Sequence, residues 1–180
     1  VFKTMKLDVY VPGKRKHDNE SASPARKFIF LGVMLVTFVV LKIIFSVQFA
    51  KDSSMEPAYK KGTILLINKF SGISKNDPVL VKLKDRENQA VVSRIIAMGG
   101  DNVEIRDKKL FVNGVEQNII SKDDRIFTQE FTERDNMAKI TVPEGTFFVL
   151  GDNFDRAYDS RSFGVVKTEL IFGKIIFNIF

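Results

Sequence analysis

The sequence predicts an all-β domain of two antiparallel sheets behind a single N-terminal membrane-spanning helix. Two observations carry this. Residues 28–50 form an apolar stretch about as long as a bilayer needs. Beyond it come short β-branched and aromatic runs punctuated by glycine, asparagine and proline, with no segment of convincing helical period. Hydrophobic residues make up 44% of the 180 residues, enough for a real core. With 17 phenylalanines and no tryptophan, that core is Phe-rich.

The elements follow in order. Residues 1–27 are polar and basic, with Lys14-Arg15-Lys16, Arg26-Lys27 and a Pro12-Gly13 step, and read as a disordered tail. The chain opens on Val1, as a fragment or a non-standard start codon would, and Met5 is an alternative start. Residues 28–41 carry no charge, and Lys42 lies far enough along the span to snorkel to an interface. Gln48 and Ala50 make a poor small-x-small cleavage site, which favours a retained anchor over a removed leader. The cations before residue 28 predict a cytoplasmic N-terminus, so residues 51–180 are expected outside the membrane, with Ser54 near its surface. Strands are expected at 63–68, 78–83, 90–98, 103–105, 110–112, 146–150 and 170–180. Asp107-Lys108-Lys109 and Asn113-Gly114 read as hairpin turns. Residues 116–139 are charged and weakly patterned, a loop-rich excursion with one strand near 126–131.

Several chemistries are excluded. The net charge is +6, but the cations are scattered rather than gathered into one patch, so no nucleic acid is expected; anionic lipid headgroups suit the N-terminal cations better. There is no cysteine, and His17 is the only histidine. A Ser-His-Asp triad in the folded domain, a thiolate nucleophile and a thiolate or multi-His zinc site are therefore ruled out, and no metal or cofactor is expected.

Three short stretches carry the chemistry. Asp52-Ser53-Ser54-Met55-Glu56-Pro57 sets a serine just past the apolar span, in a Ser-Met-x-Pro tetrapeptide. Gly151-Asp152-Asn153 and Asp159-Ser160-Arg161-Ser162-Phe163-Gly164 form a late polar cluster bounded by glycines. In this order beyond a membrane anchor, they resemble type I signal peptidase, the membrane serine proteases that remove leaders from exported proteins. The resemblance covers residues 28–180 and implies the same two-sheet fold.

It also implies roles. Ser54 occupies the nucleophile position. The base in this family is a lysine, kept neutral by burial, in a Lys-Arg-Val-Ile-Gly-like strand leading to Gly-Asp. The matching stretch is Val92-Ser93-Arg94-Ile95-Ile96-Ala97-Met98-Gly99-Gly100-Asp101, so Ser93 stands where that lysine belongs. A serine is no base at ordinary pH. Many bacterial members hold the lysine with a serine two residues before Asp-Ser-Arg; here that position is Ala157. Asp52 replaces a glycine or serine beside the oxyanion, where a carboxylate opposes developing negative charge. Lys82, Lys84 and Asp52 are the candidate substitute bases. Asp159 and Arg161 read as a pair bracing the site floor, with Ser160 between them. Gly151, Asp152 and Asn153 read as residues shaping the preceding turn.

Two functions are therefore open. One is an endopeptidase cutting exported preproteins after a small residue. The other is a catalytically deficient homologue that holds extended peptides by strand addition, an assembly chaperone for exported or surface-fibre proteins. Family members without the Ser/Lys pair occur in Gram-positive bacteria, whose proteins the Lys- and Ile-rich composition resembles.

Overall fold

The computed structural model describes residues 24–83, 90–117 and 136–179. His17, Lys84 and the strand expected near 126–131 lie outside these residues. The chain divides into two units, Val1–Val39 and Val40–Phe180.

Helix α1 spans Pro24–Ile44. Proline suits a first helical turn, because its missing N–H would have no partner there anyway. Ala25–Ile44 is 20 residues long with mean hydropathy 2.4, and at 1.5 Å per residue it rises about 30 Å, the thickness of a bilayer's hydrocarbon core. Its apolar side chains, among them Phe28, Leu31, Leu35 and Phe38, are exposed on every side, so the helix is long and apolar enough to cross a membrane. The helix begins earlier than expected, taking in Arg26 and Lys27, and stops at Ile44 rather than Ala50. Phe45–Phe49 is instead strand β1. Its Phe-Ser-Val-Gln-Phe alternation has the period of a strand, and all five residues register with the next strand.

The remaining strands are β2 (Ile64–Asn68), β3 (Pro78–Lys82), β4 (Ala90–Met98), β5 (Asn102–Arg106), β6 (Lys109–Val112), β7 (Val115–Gln117), β8 (Met137–Thr141), β9 (Thr146–Leu150), β10 (Val166–Lys167) and β11 (Ile171–Ile179). They build two antiparallel sheets, a seven-stranded one in the order β1-β2-β11-β3-β4-β9-β10 and a four-stranded one in the order β7-β6-β5-β8. The two-sheet fold predicted from sequence is therefore the observed one. Asp107 and Lys108 both take positive φ, as do Asn113 and Gly114, which is what two-residue hairpin turns demand. The excursion expected over 116–139 is shorter than predicted, since β7 ends at Gln117 and β8 begins at Met137. One four-residue helix, α2 (Ser160–Phe163), interrupts the β pattern; the Asp159 side chain caps it by accepting from the Arg161 N–H.

Strands β4 and β9 lie inside the larger sheet, and both of their faces are covered. Leu150 and Phe148 pack with Val103, Leu110 and Val112 of the smaller sheet. Phe147, Val149 and Ile95 face the other way, with Val79, Val81 and Val166. A third cluster gathers Val92 and Leu80 with Met55, Leu65, Ile67 and Ile175. That cluster fixes the segment after α1: Met55 is buried, which seats its neighbour Ser54 against the end of β4 and β9.

Candidate active site

Ser54 is buried and held by its backbone. Its carbonyl accepts from the Asn153 N–H at 2.9 Å, and its own N–H donates to Asp52 Oδ1 at 3.0 Å. Among the described residues no hydrogen bond engages Ser54 Oγ. Gly151 approaches this carbonyl so closely that a Cβ on it would lie 2.5 Å from Ser54 O and 2.3 Å from the Ala157 Cβ. Only glycine fits there.

Strand register brings in Ser93. Arg94 pairs with Leu150 and Ile95 with Val149, so continuing the same antiparallel register sets Ser93 opposite Gly151. Paired residues in a sheet point to the same side. Ser54, Ser93, Gly151 and Ala157, distant in sequence, thus meet at one corner. Ser93 is 1% exposed, and its Oγ has no hydrogen-bond partner. Its neighbours on that face, Val79, Val91 and Ile95, are apolar. The hydroxyl sits where an amine could be kept neutral by desolvation, yet it neither takes a proton nor donates one.

Of the candidate substitute bases, Lys82 and Asp52 lie among the described residues. Lys82 is exposed, with its ammonium 3.8 Å above the centre of the Phe172 ring, a cation–π contact. Lys84 lies outside the described residues. Asp52 is engaged with the Ser54 N–H. The backbone amide of a nucleophilic serine is the usual donor to an oxyanion, and here a carboxylate already occupies it.

The surrounding frame is densely bonded, although Arg161 Nη1, like Ser93 Oγ, is buried without a hydrogen-bond partner among the described residues. Asp159 Oδ1 accepts from Arg161 Nε at 2.9 Å and Oδ2 from Nη2 at 2.8 Å. Oδ2 also accepts from the Gly151 N–H at 3.2 Å. The guanidinium bonds the Phe154 carbonyl and lies 3.7 Å over the Phe154 ring. Ser160 Oγ accepts from the Val149 N–H at 3.0 Å, tying α2 to β9. A second fork differs from expectation. Asp152 does not bond turn amides but pairs with Arg94, Nε to Oδ1 at 2.8 Å and Nη2 to Oδ2. Burial alone would weaken the Arg94 cation, but the bonded Asp152 carboxylate overrides this and holds its pKa above the usual range. Burial likewise pushes the nearby Tyr59 phenol up, with Asp152 adding to the effect and Arg94 opposing it. The Arg94–Asp152 pair spans 58 residues of sequence, and no local signal marks it. Asn153 does shape the turn, its carbonyl accepting from the Ala157 N–H and its Oδ1 from the Arg156 N–H.

Two features suit an extended peptide. Strand β4 pairs with β3 along residues 90–94, but β9 joins it only from Arg94 onward. Among the described residues, the other edge of 90–93 is unpaired and leads straight to the Ser54 corner. Beside it Ala50, Met55, Leu80, Ala90 and Val92 line a notch of about 10 Å³. Such a space admits little more than a methyl group. None of these lining residues except Met55 stood out in the sequence; alternation along 90–94 is the signal that would have flagged Ala90 and Val92.

The model of one protein family, described as signal peptidase, peptidase S26, matches residues 25–180. The chain belongs to this family. It is 31% identical over 159 residues to signal peptidase IB of Staphylococcus aureus strain Mu50, covering 80% of this chain and 82% of that protein. It is 33% identical over 163 residues to signal peptidase I of Bacillus caldolyticus, covering 83% and 86%. A crystal structure of a signal peptidase I from Enterococcus faecalis V583 aligns at 35% identity and a TM-score of 0.46, over 59% of this chain and 98% of that one. The function of the chain is accordingly signal peptidase I-like, and the family's substrates are exported preproteins.

Proposed function

We propose that this signal peptidase relative binds the extended leader region of an exported protein and has lost efficient cleavage. The single observation behind this is the Ser93 hydroxyl, buried and unpartnered where the family's base stands. Serine hydroxyls attack acyl carbons only when a neighbouring group removes their proton. Positioned acid-base catalysis is worth about 100- to 10,000-fold, so a site without it retains little turnover. Ala157 in place of the serine that would orient the amine, and Asp52 on the oxyanion donor, act in the same direction. Binding needs none of these groups. It needs a free strand edge and a pocket for alternate side chains, which residues 90–93 and the notch beside Ser54 provide. The apolar helix is proposed to anchor the domain, with its basic N-terminal side in the cytoplasm.

A working peptidase is the second reading, favoured by the 31% and 33% identity to proteins named as signal peptidases. The two separate in one experiment with the full chain in detergent. A labelled preprotein peptide with alanine at the cleavage position is expected to bind saturably and remain intact over hours. Turnover that disappears in Ser54→Ala would establish the peptidase instead.

A further inference from the structure

A cavity of about 490 Å³ has Gly151, the residue that abuts the Ser54 carbonyl, in its wall. Its walls are Asn76 before β3, Arg94 and Ile96 of β4, Leu150, Gly151 and Asp152 at the end of β9, and Leu110, Val115, Glu116 and Gln117 of the smaller sheet. It lies between the two sheets, next to β7, whose residues are all exposed and which forms an edge of its sheet among the described residues. Its volume falls within the range of sites that enclose a ligand.

We infer that this cavity takes the residues that follow the small residue of the bound peptide, the beginning of the mature protein. The inference rests on the peptide-binding reading above. Three observations carry it. The first is continuity: Gly151 stands against the Ser54 carbonyl and is also a wall of the cavity, so a chain leaving the Ser54 corner past Gly151 enters it. The notch and the cavity are both lined from β4, by Ala90 and Val92 in one case and by Arg94 and Ile96 in the other. An extended chain keeps its alternate side chains on one side, so one strand-like peptide can serve both.

The second is the chemistry of the walls. Ile96, Leu110, Val115 and Leu150 offer apolar contact, whereas the Arg94 guanidinium is a polar donor group. Three of its five N–H groups are engaged, two on Asp152 and one on the Asn76 carbonyl. The remaining N–H groups suit a peptide carbonyl. Asp152 neutralises the guanidinium and Glu116 adds a further carboxylate to the wall, so the site disfavours an acidic side chain. The third is size. The notch admits a methyl, and a site that reads only a methyl discriminates weakly. A roomy second site gives a non-cleaving binder the contact area that the notch lacks.

The test uses the full-length chain in detergent and two fluorescent peptides of identical sequence up to an alanine. One ends at that alanine as an amide; the other continues for several apolar and small residues. The longer peptide is expected to bind about tenfold more tightly. Val115→Trp, at a position 63% exposed and outside the core, should fill the cavity and erase that advantage while leaving the short peptide's affinity unchanged. Equal affinity of the two peptides for the unmodified chain would overturn the inference. So would a Val115→Trp variant that keeps the long peptide's advantage or weakens both peptides alike. Binding of neither peptide would instead remove the peptide-binding reading itself, and the cavity assignment with it.

Discussion

Gly151 separates two regions of opposite character. On one side its N–H reaches Asp159 in an ion pair whose two carboxylate oxygens are both engaged and which is 0% and 1% exposed. On the other side it abuts the Ser54 carbonyl, in a corner where the buried Ser93 hydroxyl lacks a partner among the described residues and the Ser54 N–H donates to the Asp52 carboxylate. The difference teaches what this domain requires. Buried charges are costly unless their partners are kept, so losing one half of the Asp159–Arg161 fork is expected to destabilise the domain whatever its function. Hydrolysis needs groups that contribute nothing to folding, and the proposed loss of cleavage concerns only those.

The sharpest way to break this contrast is to damage the frame. Arg161→Ala leaves the Asp159 carboxylate buried and unpaired and should cost roughly 3–5 kcal/mol. Thermal unfolding should show a large drop in melting temperature. An unchanged value would mean that the fork braces nothing and that the frame and the corner are equally dispensable.

A smaller effect of opposite sign is expected in the corner. Ser93 Oγ is desolvated without a bond, a state that costs about 1–3 kcal/mol. Ser93→Ala removes the hydroxyl with little change of shape, so stability should rise by about 1 kcal/mol, and peptide binding should be retained. Denaturant midpoints for the two forms decide it. A loss of stability would show that the hydroxyl is satisfied, which would weaken its reading as a remnant of lost chemistry.

Much of this architecture was legible in the sequence because local pattern controls it. Alternation and β-branching marked β2, β3, β4, β9 and β11, and the Asp159–Arg161 pair lies two residues apart, within reach of a local turn. Strand β1 was hidden because its apolar residues continue the composition of α1, and only the Ser46 and Gln48 alternation betrays a change of period. Strand β10 is two residues long, too short for any period to register. The Arg94–Asp152 fork and the unpaired edge at 90–93 depend on where distant strands come to rest. Neither is written in any window of the chain. At the site, the family resemblance is what singled out Ser54, Ser93 and Ala157. The bond from the Ser54 N–H to Asp52 needed coordinates, since a carboxylate two residues away can point to solvent as readily as to an amide.

The central claim is that cleavage is missing because its base is missing, and one measurement addresses it directly. Preprotein cleavage is followed in detergent for the unmodified chain, Ser93→Lys, the Ser93→Lys/Ala157→Ser pair, and that pair with Asp52→Ser added. Ser54→Ala in the last form is the control. Lysine at 93 enters an apolar wall that favours its neutral form, the hydroxyl at 157 restrains its rotamers, and removal of the carboxylate frees the Ser54 N–H. The expected result is no detectable turnover in the unmodified chain and a stepwise rise to the three-fold variant, abolished by Ser54→Ala. Robust cleavage by the unmodified chain that Ser54→Ala eliminates would contradict the account, because another group, such as Asp52, would then have to serve as the base in place of a lysine at 93.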